Sequence, residues 1–229
     1  MKKRIKANGM IIFLAVLLLF LFPRAFMRIN AGGVLEEAAK ISGSALILLG
    51  QLLRVSGRGY KAENSQSGRV LLQGGPYSLT RNPMYLGILL IGIGVVLVLF
   101  KWWVAVVFVA IFIARYLLLI YREEKKLAAV FPAEYPSYCK NVPRLLPALN
   151  TLLKKDVSEY LPIKLSWVKK EIGSIVAVLL ATLFLSSWME IKYAGLSAFP
   201  KKSIYLLSAI IFFAGLTIYL NGKSNKCSG

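Results

Sequence analysis

Long runs without a single charge constrain this chain more than anything else in it. Met84–Phe100 is one such run, and Trp102–Ala114 follows after only Lys101. A helix that crosses the hydrocarbon core of a bilayer needs roughly 20 mostly apolar residues. Six segments approach that length: about 9–26, 34–53, 84–100, 102–121, 172–191 and 203–220. In all, 57% of the 229 residues are hydrophobic and 17% charged, where a soluble domain carries about a quarter charged. The expected fold is all-α, a polytopic transmembrane bundle of about six spans. The second segment is the weakest of the six, because Glu36, Glu37 and Lys40 occupy its first turns.

Charge sets the expected orientation. Lys and Arg number 29 against 10 acidic residues. With both termini on the cytoplasmic side, the inner segments hold 21 basic residues and the outer ones 7, as the positive-inside rule requires. Lys2, Lys3, Arg4 and Lys6 would also suit a signal peptide, but no small-residue cleavage site follows, so the first run reads as an uncleaved helix. The basic residues flank apolar runs, which points to anionic lipid as partner and not to nucleic acid. Arg115 lies inside the fourth span and is expected to snorkel to the interface. No histidine is present, which removes His-based triads and His-ligated metals. Cys139 and Cys227 are too far apart to form a metal-ligand pattern, and no metal site is expected.

Lys101 alone separates the third and fourth spans, with Trp102 and Trp103 suited to the interface. So short a link makes an antiparallel hairpin whose two inner ends meet. One end is Gly74-Gly75-Pro76-Tyr77 running into Arg81-Asn82-Pro83-Met84-Tyr85-Leu86-Gly87. Pro83 suits a first helical turn, with Asn82 as its N-cap. Gly87, Gly92 and Gly94 permit close helix packing. The other end is Arg122-Glu123-Glu124, continuing through Leu127 and Phe131 at helical spacing. Pro132 and Pro136 then break the helix ahead of Tyr135, Tyr138 and Val142-Pro143-Arg144. Taken singly, each of these residues has a structural explanation.

Taken together, Arg81-Asn82-Pro83-Met84-Tyr85-Leu86-Gly87 resembles the R-H-P-x-Y-x-G signature of the isoprenylcysteine carboxyl methyltransferase and phospholipid methyltransferase superfamily. Glu123, Glu124, Leu127, Phe131, Tyr135, Tyr138, Val142 and Pro143 fall at the spacing of its second signature. Gly50, Leu53 and Arg54 are similar to a third block. The resemblance covers residues 48–147. Asn82 stands where many members have His, and Pro132 where Gly is usual. The rest divides naturally into a core, 1–150, and a basic linker with one more hairpin, 151–229, of no recognised role.

The resemblance implies an integral membrane enzyme that uses S-adenosylmethionine, yields S-adenosylhomocysteine, and methylates a lipidic acceptor at the cytoplasmic face. By resemblance, Glu123 and Glu124 hold the donor's ammonium. Tyr77, Arg81, Asn82, Pro83, Tyr85, Gly87 and Tyr135 complete the cofactor-binding set. Arg144, Tyr138 and Glu123 are the catalytic candidates, Arg144 for gripping a carboxylate or lipid phosphate bidentately. A phospholipid amine would need a base, with Glu123 or a tyrosine as the local candidates; a prenyl carboxylate would not. Two other classes stay open on the residues alone. One is an NADPH-dependent reductase of the sterol-reductase type, which the adjacent glutamates disfavour. The other is a scaffold or transporter, whose internal repeats are not apparent. Oligomeric state is not legible.

Overall fold

The computed structural model describes residues 21–28, 33–65, 70–147, 157–194 and 211. Most of the first expected span and nearly all of the sixth lie outside the described residues. Eight helices occur among those described: α1 Pro23–Phe26, α2 Val34–Asn64, α3 Pro76–Leu79, α4 Pro83–Leu99, α5 Trp102–Val130, α6 Tyr135–Asn141, α7 Val157–Tyr160 and α8 Leu165–Ala194. No strand is formed by the described residues; one bridge joins Met27 to Phe100.

Three helices, α2, α5 and α8, are long and apolar enough to cross a membrane. The second segment is therefore better than its sequence promised. Glu36 and Glu37 sit in the first turn of α2, where negative charge is favourable against the helix dipole. The helix also continues eleven residues past its expected end at 53, to Asn64. Conversely, the third segment forms a helix of only 17 residues, about 25 Å at 1.5 Å per residue, short of the hydrocarbon thickness. It is the innermost helix of the bundle, with Leu86, Gly87, Leu89, Ile91 and Gly94 all buried.

What buries α4 is a glycine seam. Gly43 faces Gly94 and Gly50 faces Gly87, so α2 and α4 run antiparallel. A Cβ added to Gly50 would stand 2.6 Å from the Gly87 carbonyl oxygen, and one on Gly43 2.7 Å from that of Gly94. In lipid, where apolar side chains gain nothing by leaving hydrocarbon, such backbone approach is what drives helices together. The expected packing role of Gly87 and Gly94 is thus observed, and Gly92 receives the ring of Phe108 from α5. Tyr85 meets Tyr116, with centroids 5.4 Å apart. These pairings make α4 and α5 the expected antiparallel hairpin, hinged at Phe100 and Lys101.

Most of α5 faces outward, including Arg115 on an exposed position. It runs past residue 121 to Val130 before Pro132, so its last turns stand clear of the apolar stretch. Helix α8 lies along α2 and α4. Trp167 of α8 packs on Gly59, and Met189 joins Met27 and Leu99 at the hinge end. The C-terminal end of α2, the start of α4, the end of α5 and the start of α8 are thereby gathered at one end of the bundle.

Candidate active site

At that gathered end the two polar segments are joined by hydrogen bonds. The entry begins with Gly75 at φ +55°, a left-handed conformation that favours glycine, and the Tyr60 ring fills the space a side chain would need. This turn launches α3, then the extended Thr80, then α4. Arg81 donates its backbone N–H to the Pro143 carbonyl at 2.9 Å. The Asn82 Nδ2 donates to the Arg144 carbonyl at 2.9 Å, and the fully buried Thr80 Oγ1 to the same oxygen at 3.2 Å. The Tyr138 hydroxyl donates to the Tyr77 carbonyl at 2.7 Å. Asn82 does occupy the N-cap position of α4, but its side chain makes no capping bond. Its amide is spent on tying the two segments together.

The two neighbouring glutamates do different things. Glu124 is nearly buried and receives Arg144 bidentately, Nε at 3.1 Å and Nη2 at 2.8 Å. Arg81 Nη1 reaches the same carboxylate at 3.1 Å and also approaches Cys139 Sγ at 2.9 Å. One carboxylate between two guanidiniums is a local charge of +1, and hydrogen bonding to Glu124 raises the Arg144 pKa further. Glu123 points the other way and accepts the Tyr85 hydroxyl at 2.8 Å.

Beside Glu123 lies a cavity of about 210 Å³. Of the residues marked in the sequence, Tyr77, Arg81, Asn82, Pro83, Tyr85, Glu123 and Tyr138 line it. Glu124, Tyr135, Arg144 and Gly87 do not; the first three stand behind the wall, and Gly87 faces the glycine seam. The cavity's other walls are largely apolar, with Leu71, Leu72, Leu127 and Phe131, and Lys61 stands among its lining residues. Sequence reasoning missed Lys61 because it ended the second helix at residue 53. Arg54, Arg58 and Lys61 repeat at helical spacing and were the available signal. Thr80 was missed although it sits directly before Arg81.

Arg81 also carries a buried Nε–H with no partner. Such a donor costs free energy unless something accepts from it. Burial pushes the Tyr138 and Tyr77 hydroxyls well above the ordinary tyrosine range, and that of Tyr135 up to about 12. A tyrosinate base is therefore not what these residues offer; Tyr138 is a hydrogen-bond donor.

The constellation thus pairs one carboxylate, one guanidinium and a set of aromatic and apolar walls, beside helices that are apolar enough to cross a bilayer. Residues 38–134 match the family model for phospholipid methyltransferase. No curated protein and no solved structure gave a match.

Proposed function

We propose, from the match of residues 38–134 to the phospholipid methyltransferase family model, that this protein is an S-adenosylmethionine-dependent methyltransferase whose cavity beside Glu123 takes the methyl donor. The acceptor is a lipid that reaches the cavity from the bilayer, and the gathered end faces the cytoplasm. The described basic residues support that sidedness. Arg54, Arg58, Lys61, Arg81, Arg122, Lys125, Lys126, Lys140, Arg144, Lys164, Lys169 and Lys170 lie toward this end, against Arg24, Arg28, Lys40, Lys101 and Lys192 at the other.

The observation that carries the reading is a pair of opposite charges among the lining residues of one cavity: the Glu123 carboxylate and the Arg81 guanidinium. An α-amino acid presents an ammonium and a carboxylate, and these two side chains complement it. Leu71, Leu72, Leu127 and Phe131 offer an apolar surface for an adenine ring. When bound, the donor supplies a methyl group on a positively charged sulfur, a displacement that needs orientation and field more than acid–base chemistry.

The chain's own contributions follow from the geometry. Glu124 fixes the Arg81 guanidinium through its Nη1. Glu123 is held by Tyr85 and places negative charge where a cation binds. For an amine acceptor, Glu123 is the group able to take the proton that must leave before attack; for a carboxylate acceptor it need only orient. Arg144 is engaged by Glu124, yet its side chain remains half exposed. That leaves it able to meet a phosphate or carboxylate at the rim while it stays paired.

Thermal unfolding of the purified protein with S-adenosylhomocysteine or NADPH tests the reading. Stabilisation by the first and none by the second is expected, with the shift lost in Glu123→Ala. Stabilisation by NADPH alone would overturn it. Labelled methyl transfer into total membrane lipid, followed by separation of the product, identifies the acceptor.

A further inference from the structure

Helix α5 gathers cations on one side of its outward face. Arg115 and Arg122 are seven residues apart, which at about 100° per residue brings the second within about 20° of the first. Lys126 falls about 20° to the other side of Arg115, and all three are exposed. A helical side chain meets its neighbours three and four residues away. For Arg115 these are Ile111, Phe112, Leu118 and Leu119; for Arg122 they are Leu118, Leu119, Lys125 and Lys126. None is acidic. The carboxylates of α5 are engaged elsewhere, Glu123 with Tyr85 and Glu124 with Arg81 and Arg144. No side-chain ion pair or hydrogen bond ties Arg115 or Arg122 to another described residue.

The hairpin fixes the depth of these residues. Tyr116 meets the ring of Tyr85, which stands in the first turn of α4. Arg115, next to Tyr116, is therefore level with the site end of a helix too short to span the hydrocarbon, and lies within it. Arg122 stands about 10 Å further along the axis, towards the polar segments. Ile111, Leu118 and Leu119 share this face and are exposed. A guanidinium at such a depth is costly unless an anion or water meets it. An apolar floor beneath two guanidiniums selects an anion that carries hydrocarbon.

We propose that Arg115 and Arg122 clasp the phosphate of an anionic phospholipid against the outward face of α5, with Lys126 adding charge at the headgroup and Ile111, Leu118 and Leu119 lying along the acyl chains. Side chains on a helix lean towards its N-terminus, so Arg122 reaches back towards the bilayer. Arg115 extends outward along the apolar surface to meet it. Guanidiniums take phosphate oxygens in their planar fork. The site does not rest on the methyltransferase reading: neither arginine lines the Glu123 cavity, and Arg122 leaves the helix about 100° round from Glu123.

Native mass spectrometry of the full chain in detergent, titrated with phosphatidylglycerol, phosphatidylcholine or inorganic phosphate, tests it. Wild-type protein should retain phosphatidylglycerol in preference to phosphatidylcholine. In Arg115→Gln/Arg122→Gln, phosphatidylglycerol should bind about tenfold to thirtyfold more weakly. Lys140→Gln/Lys170→Gln removes the same charge from the same end of the bundle and should leave that affinity unchanged. Arg115→Gln alone, at an exposed position, serves if the double arginine variant fails to fold. Unchanged phosphatidylglycerol affinity in the arginine variants would overturn the proposal, as would an equal loss in the lysine variant or equal retention of phosphatidylcholine. Displacement of the lipid by inorganic phosphate at matching concentration would also overturn it, by showing a free-anion site.

Discussion

Helices α4 and α8 both pack against α2, and they do it by opposite means. The α2–α4 contact is backbone on backbone: Gly43 to Gly94 and Gly50 to Gly87, seven residues apart on each helix, with Ile47 buried between the two crossing points. The α8 contact is made by side chains at and just before its N-terminal end. At the site end Trp167 covers Gly59 and donates its indole N–H to Glu63, and Lys164 pairs with Glu63. Arg58 and Arg54 reach Glu171, and Ser56 Oγ donates to the Pro162 carbonyl at 2.9 Å. The difference sorts the molecule into a scaffold without slack, inside the segment that matches the family model, and an attachment in which partly exposed ion pairs take a share.

The seam should therefore break first and worst. Gly50→Leu places a branched side chain where even a methyl carbon meets the Gly87 carbonyl, and two backbones must part to admit it. A cost above about 3 kcal/mol is expected, seen as loss of monodisperse, cooperatively unfolding protein. Next in size is Glu124→Ala, which leaves the Arg81 and Arg144 guanidiniums facing each other without their shared anion. About 2–3 kcal/mol of stability should go, discounted from a fully buried pair because Arg144 is half exposed. Binding of S-adenosylhomocysteine should fall with it, since Arg81 loses its support. If Glu124→Ala kept both, the site would not depend on that triad. Tyr138→Phe should cost about 1 kcal/mol, the worth of one hydrogen bond to the Tyr77 carbonyl. Burial keeps Tyr138 protonated, so the pH–rate profile of this variant should keep its shape. A lost basic or acidic limb would instead make Tyr138 a titrating participant.

The same contrast explains what could be read from the sequence. The seam announced itself, because glycines in apolar helices have few other reasons to be there, and Gly87 and Gly94 were read as packing positions. The pairing partners Gly43 and Gly50 follow only from three dimensions. The signature residues were legible as a set, since both segments had to meet at the inner ends of a hairpin joined by Lys101 alone. Their division of labour was not. Glu123 and Glu124 differ by one position, yet 100° of helix rotation turns one to the cavity and the other to two arginines behind it. Asn82 looked like a cap, and nothing local tells that its amide reaches Arg144, 62 residues on. The α8 attachment was illegible because it rests on Tyr160, Trp167 and Glu171, scattered residues without spacing or motif. Tyr160 is nonetheless buried with Leu53, Leu79 and Leu86, against the turn that carries Arg81.

The smallest effect belongs to that attachment, and it has its own signature. Glu171→Gln should cost under about 1 kcal/mol, as partly exposed ion pairs do, and the loss should shrink as salt rises. Glu63 adds a pH dependence. Hydrogen bonds from Lys164 and Trp167 hold its pKa below the ordinary value of 4.5. A carboxylate depressed in the folded state contributes stability that is complete above its unfolded pKa and is lost as pH falls through the lower folded value. Wild-type protein should therefore show an acid-side decline in melting temperature below about pH 4.5 that Glu63→Gln blunts. Gly50→Leu, if it folds at all, should show no such pH or salt dependence in its defect, because nothing at the seam titrates. An α8 contact as indifferent to salt and acid as the seam would mean that Trp167, packed on Gly59, and not the ion pairs around it, holds that helix in place.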